Sequence, residues 1–156
     1  MVQITVLNNI QMSGLINPYL YVLFVLSLPF RMPKSAVILA AFISGVLIGL
    51  FTNNAGLHAA ACVALAFVRP GVLKLLSPRE GYESESNPTI KDMGFRWFLI
   101  YAFVLIFVHH TVLFYAEVFR FSEFYTTLLR SFLSTLFTLI LVIVCQYLFY
   151  KTKAER

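Results

Sequence analysis

From Gly45 to Val68 the chain carries no charged side chain, and only the run Thr52-Asn53-Asn54 interrupts its apolar character. Two apolar arms around a polar break read as a hairpin of two membrane helices turned at Asn53-Asn54. Small residues recur at every fourth position on both arms: Ala41, Gly45 and Gly49 before the break, then Gly56, Ala60 and Ala64 after it. In lipid, apolar helices gain little by leaving water, so a flat small-residue ridge that lets backbones approach becomes the means of association. The ridges therefore mark close helix contacts, either between the two arms or with a partner helix.

Composition places the whole chain in the same class. Hydrophobic residues make up 60% and charged residues 12%, against roughly 45–50% and about 25% in soluble domains. A chain of this length could not hide so much apolar surface from water, and too little lies outside the apolar runs for a second folded unit. Residues 1–156 are expected to form a single integral membrane domain.

Met1–Leu7 is apolar but too short to span, and ends at Asn8-Asn9; it lacks a basic region and a cleavage site, so no cleavable signal peptide is expected. Asn17-Pro18 is a helix entry, with Asn as cap and Pro in the first turn. Pro18–Phe30 predicts a short apolar helix with Tyr19 and Tyr21 at the interface, followed by a tight turn around Arg31. Ser35–Phe51 and Gly56–Leu76 are the hairpin arms. Pro70 predicts a kink in the second, with Arg69 and Lys74 at or below the interface and their stems along the apolar layer. Ser77–Gly94 contains Pro78, Gly81, Pro88 and four of the seven acids, and reads as an exposed loop, either a solvated connector or a partner contact. Trp97–Ala116 and Ser131–Tyr150 are uncharged spans joined by an interfacial connector, Glu117–Arg130. The fold class is thus an all-α polytopic membrane protein, with five full or near-full transmembrane helices behind a truncated N-terminal one.

Charge sets the orientation. With the C-terminus in the cytoplasm, the inner side holds Arg31, Lys34, Arg69, Lys74, Arg79, Lys91, Arg96, Lys151, Lys153 and Arg156, ten of the twelve basic residues. Only Arg120 and Arg130 lie outside, a strong positive-inside bias. The net charge of +5 is then a topology signal and does not point to nucleic acid.

The chemistry-bearing residues are few. His58, His109 and His110 all fall towards the outer end, with Thr52, Asn53 and Glu117 near them, and such a group could serve a metal or a proton relay. The plainer reading has His58 capping the turn and the consecutive pair pointing to different faces, since neighbours on a helix are ~100° apart. Cys62 and Cys145 lie at different depths, which argues against a disulfide. No HExxH, GxSxG or P-loop pattern occurs, and the acids sit in loops or at ends. No catalytic residue, metal or cofactor is assigned.

The ordered segments INPYLYVLFVLSLPF (Ile16–Phe30), GLFTNNAGLHAAA (Gly49–Ala61) and FVRPGVLKLLSPREGYE (Phe67–Glu83) resemble the rod shape-determining MreD family. The residues that carry the likeness are Asn17, Pro18, Asn53, Gly56, His58, Arg69, Pro70, Pro78, Arg79 and Glu80. The resemblance implies a six-helix inner-membrane protein arranged like the substrate-binding subunits of vitamin transporters. It also implies binding to MreC within the cell-wall elongation complex, in association with MreB and a glycan polymerase and transpeptidase. Two departures stand out. Many members carry an acidic residue where Gly49 stands, and only the tail of the family's first helix (Val2–Asn9) is present, so that helix is either a stub at one face of the bilayer or begins upstream of Met1. The function expected is a non-enzymatic scaffold of peptidoglycan synthesis in the bacterial inner membrane. The alternative is the substrate-binding membrane subunit of a small-molecule transporter, with a pocket near Asn53, His58 and His110.

Overall fold

The structure, a computed structural model, describes residues 17–52, 54–82, 86–118 and 124–154. Met1–Leu7, the turn residue Asn53, Glu83, Glu85, Arg120, Glu123, Glu155 and Arg156 lie outside the described residues. The regular structure is all helical, with no strand among the described residues. In order they are α1 (Val22–Leu26), α2 (Lys34–Phe51), α3 (Ala55–Leu75), α4 (Ile90–Met93), α5 (Phe95–Val118) and α6 (Phe124–Ala154).

Four of them, α2, α3, α5 and α6, are long and apolar enough to cross a membrane. The expectation of a fifth, over Pro18–Phe30, is corrected. Only Val22–Leu26 is α-helical there, and five residues rise about 7.5 Å against a hydrocarbon core of ~30 Å. The segment opens in tight turns, with Val22, Leu23 and Phe24 N–H bonded to Tyr19, Leu20 and Tyr21 O at 3.3, 3.0 and 3.0 Å. It closes at Ser27-Leu28 because the ring of Pro29 disfavours the helical region for the residue before it. Val22, Val25 and Leu26 are fully buried, so α1 turns that face into the bundle and packs on α2, α3 and α5, while Phe24 is 53% exposed. Of the expected interfacial connector, Glu117 and Val118 end α5 and Phe124–Arg130 open α6, with Glu117 and Arg130 joined by an ion pair of 3.1 Å; residues 119–123 lie outside the described residues.

The four long helices run in sequence, each packed on the next. Pro70 lies within α3, which continues to Leu75. The loop after α3 carries α4, whose start is capped by Thr89 Oγ1 accepting from Asp92 N–H at 3.2 Å. Gly94, at φ 84°, supplies the left-handed turn that an L side chain rarely adopts and so starts α5 in a new direction. Burial is uneven. Half of the most apolar stretch of α5 is covered, against 22% for α2, whose Leu39, Phe42, Ile43, Leu47 and Leu50 face outward. Such a surface is tolerated in lipid and not in water.

The hairpin arms meet along one of the two ridges. Ala41, Gly45 and Gly49 are buried, and a Cβ at Gly45 would lie 2.6 Å from both Ala59 Cα and His58 O. The Gly56, Ala60 and Ala64 ridge takes no part in this contact: Gly56 and Ala60 are exposed, Ala64 is half-buried, and nothing lies within 4 Å of a Cβ at Gly56. The same chemical change therefore has opposite outcomes on the two arms. Gly45→Ala forces backbone against backbone and costs about 1–3 kcal/mol, read as a lower thermal midpoint in lipid nanodiscs. Gly56→Ala is neutral or stabilising by roughly 0.5–1 kcal/mol, because alanine loses less entropy in a helix. Equal midpoints for the two variants would contradict the packing described.

Candidate functional site

A helix interrupted inside an apolar bundle leaves backbone N–H and C=O groups that water cannot reach, each of which must find a protein partner. The segment around α1 finds them on three other helices. At its start, Asn17 N–H donates to Ser134 Oγ (3.1 Å) and Tyr19 N–H to Thr138 Oγ1 (3.2 Å), both on α6. At its end, Tyr101 O–H from α5 donates to Leu26 O at 3.0 Å, and the Arg69 guanidinium from α3 donates to Leu28 O.

Arg69, expected at or below the interface, is buried within the bundle, 3% exposed. Its Nε also donates to Tyr101 Oη at 2.8 Å. A cation in this position is held by neutral oxygens from two elements, and hydrogen bonds to a charged donor contribute about 1.5–3 kcal/mol each. Lys74, by contrast, is exposed near the end of the same helix.

The histidines do not diverge, as their positions in sequence implied, but converge. Tyr21 Oη lies 2.8 Å from His58 Nδ1 and 2.8 Å from His109 Nε2. A phenol has one proton, so it donates to one imidazole and accepts from the other, which fixes complementary tautomers. His110 Nδ1 is 2.9 Å from Ile106 O; a carbonyl only accepts, so that nitrogen carries the proton. His110 Nε2 is then the acceptor for the Thr138 hydroxyl at 3.3 Å. The Tyr19 ring packs among His58, His109, His110, Tyr21 and Phe114, at centroid distances of 5.4–6.2 Å. Both tyrosines, expected at the interface, turn their rings to this cluster. His109 Nδ1 and Thr111 Oγ1 are buried without a partner among the described residues. No group of three or more metal-ligating side chains is arranged to hold a metal among those residues.

Above this cluster the Arg130 guanidinium stacks over Phe114 at 4.2 Å and pairs with Glu117. With its amide oxygen turned to Arg130, Asn17 accepts from Nη2 at 2.8 Å and Nε at 3.3 Å. At the opposite end, Pro78, Arg79 and Glu80 are exposed in the loop. The loop is nonetheless fastened, since Tyr82 O–H donates to Leu73 O at 2.6 Å and Trp97 Nε1–H to Leu76 O at 2.9 Å. Cys62 and Cys145 are both free.

Of the residues singled out by sequence, Asn17, His58 and Arg69 thus share the interior with α1, while Gly56, Ala60, Pro78, Arg79 and Glu80 do not. The sequence reading passed over Tyr101, Ser134 and Thr138. A signal for the last two was present: Thr127, Ser131, Ser134, Thr135 and Thr138 recur at helical spacing along α6, and all five are buried. Polar side chains at that spacing in a spanning helix mark the face turned from lipid.

No protein-family model, no curated protein and no solved structure matches the chain.

Removing one hydroxyl from this network strands its partners. Tyr101→Phe leaves Leu26 O and Arg69 Nε unbonded and is expected to cost about 1–3 kcal/mol, measured as loss of thermal stability in nanodiscs. Tyr125→Phe, at a ring 85% exposed, is expected to change nothing measurable. Equal stability of Tyr101→Phe and the parent would show that these bonds do not hold the segment.

Proposed function

We propose that the protein is a non-enzymatic membrane scaffold of the MreD type. In this reading it lies in the bacterial inner membrane with its C-terminus in the cytoplasm and binds MreC. It thereby positions the glycan polymerase and transpeptidase of the elongation complex relative to MreB. The order of the polar motifs between the apolar runs supports the family. The four long helices among the described residues agree with the charge bias, which in this topology gathers ten of the twelve basic residues on the cytoplasmic side.

One observation carries the scaffold reading. The polar residues that could do chemistry, His58, His109, His110, Tyr21, Tyr101 and Arg69, bond to one another and to backbone carbonyls. Their work is structural, so the molecule acts through its outer surface. That surface includes an exposed line on α3 at Gly56, Ala60, Phe67 and Gly71, where a partner helix can approach closely.

The test is co-purification from membranes. The tagged chain is expected to bring down MreC. Ala60→Leu, which stays apolar and touches no packed neighbour, is expected to weaken that capture severalfold with the thermal midpoint unchanged. Absence of MreC from the purified material contradicts the reading. So would a specific small solute retained in its place, which favours the transporter subunit.

A further inference from the structure

We infer that α1 is a rigid coupling element. It links the loop strap at one end of the bundle to the Tyr21–His58–His109 cluster near the other. The inference is independent of the scaffold reading, because it concerns the chain alone.

The geometry supplies an unbroken run of contacts. Tyr82, on the loop after α3, stacks on Phe30 at 4.3 Å and meets Trp97 edge-on at 6.0 Å. Trp97 stacks on Tyr101 at 4.9 Å. Tyr101 and Arg69 hold the carbonyls of Leu26 and Leu28, which are the end of α1 and the residues just beyond it. One residue before α1, Tyr21 hangs between the two imidazoles. The Cys62 thiol, fully buried, is within hydrogen-bond reach of Tyr21.

α1 is held along its inner face, where Val22, Val25 and Leu26 are fully buried against α2, α3 and α5, with Phe24 on the open face. It is also too short to bend. A shift imposed at Phe30 and Leu28 therefore passes to Tyr21. The two ends lie well apart: His58 and Arg69 are eleven residues apart on α3, roughly 16 Å at 1.5 Å per residue. Substitutions more than about 7–10 Å apart with no shared partner act additively. Coupling between Tyr82 and Tyr21 is thus a specific consequence of α1 and not of proximity. Anything that engages the exposed loop residues Arg79 and Glu80 and lifts the strap would loosen the histidine cluster across the bundle.

Two measurements on the full chain in nanodiscs test this. The first is the rate at which N-ethylmaleimide alkylates Cys62, with Cys145→Ser as background. Tyr82→Ala is expected to raise that rate severalfold, and Tyr82→Phe, which keeps the stacking, to raise it less. Tyr125→Ala serves as control and leaves it unchanged. The second is a double-mutant cycle on the thermal midpoint. The loss in Tyr82→Ala/Tyr21→Phe is expected to fall short of the summed single losses by at least about 2 °C. An unchanged Cys62 rate in Tyr82→Ala, while Tyr21→Phe raises it, overturns the coupling. Additive midpoint losses overturn it as well.

Discussion

A backbone that leaves the helix inside an apolar bundle must be bonded by side chains, and this constraint organises the molecule. Water is absent, and an unmet N–H or C=O costs free energy comparable to a lost hydrogen bond. The proline-flanked segment from Asn17 to Pro33 cannot form one long helix, so its open groups dictate what faces it. Ser134 and Thr138 meet its first N–H groups, and Tyr101 and Arg69 meet its last carbonyls. Each of the surrounding helices α3, α5 and α6 supplies at least one of these partners, or a histidine bonded to Tyr21.

The same constraint explains residues that would otherwise look out of place in a lipid-bounded protein. A buried arginine is costly unless its donors are met, and Arg69 has its donors directed at Leu28 O and Tyr101 Oη. The three buried histidines are held in the same way, although His109 Nδ1 has no partner among the described residues. His110 is fixed in one tautomer by Ile106 O and Thr138, while Tyr21 serves His58 and His109 together. These bonds orient the aromatic rings of Tyr19 and Phe114 around them. Apart from Lys34 and Ser35 at the start of α2 and Lys74 near the end of α3, the outer faces of α2 and α3 are apolar or small, which suits contact with lipid or with another helix and asks nothing of the interior.

The four spanning helices were legible because hydropathy over some twenty residues is a strong signal and the breaks at Thr52–Asn54 and Ser77–Gly94 are polar. The fifth was misread because Pro18–Phe30 has the entry signal and the apolar content of a helix. Only the partners waiting at its ends, far away in sequence, show that it is broken. Hydropathy sets Arg69 two-thirds along its arm, at or below the interface, but gives no sign that its guanidinium turns inward to Tyr101 and Leu28 O. Periodicity identified small residues on both arms but not which ridge turns inward. Around Ala59 and Ala60 nearly every position of α3 is small, so spacing alone does not choose a face; the backbone contact at Gly45 does. For the histidines, spacing alone likewise does not choose between a group at one end and rings on different faces. Consecutive residues on a helix reach one site only when another chain segment, here Tyr19–Tyr21, fills the angle between them.

Amide hydrogen exchange across Tyr19–Leu28 in lipid nanodiscs, followed peptide by peptide, tests this account most directly. If side chains from α3, α5 and α6 hold the broken segment, its amides exchange as slowly as those in the middle of α5. Exchange as fast as that of the exposed loop at Arg79–Gly81 would contradict the account, because it would mean that the segment opens to water and needs none of those partners.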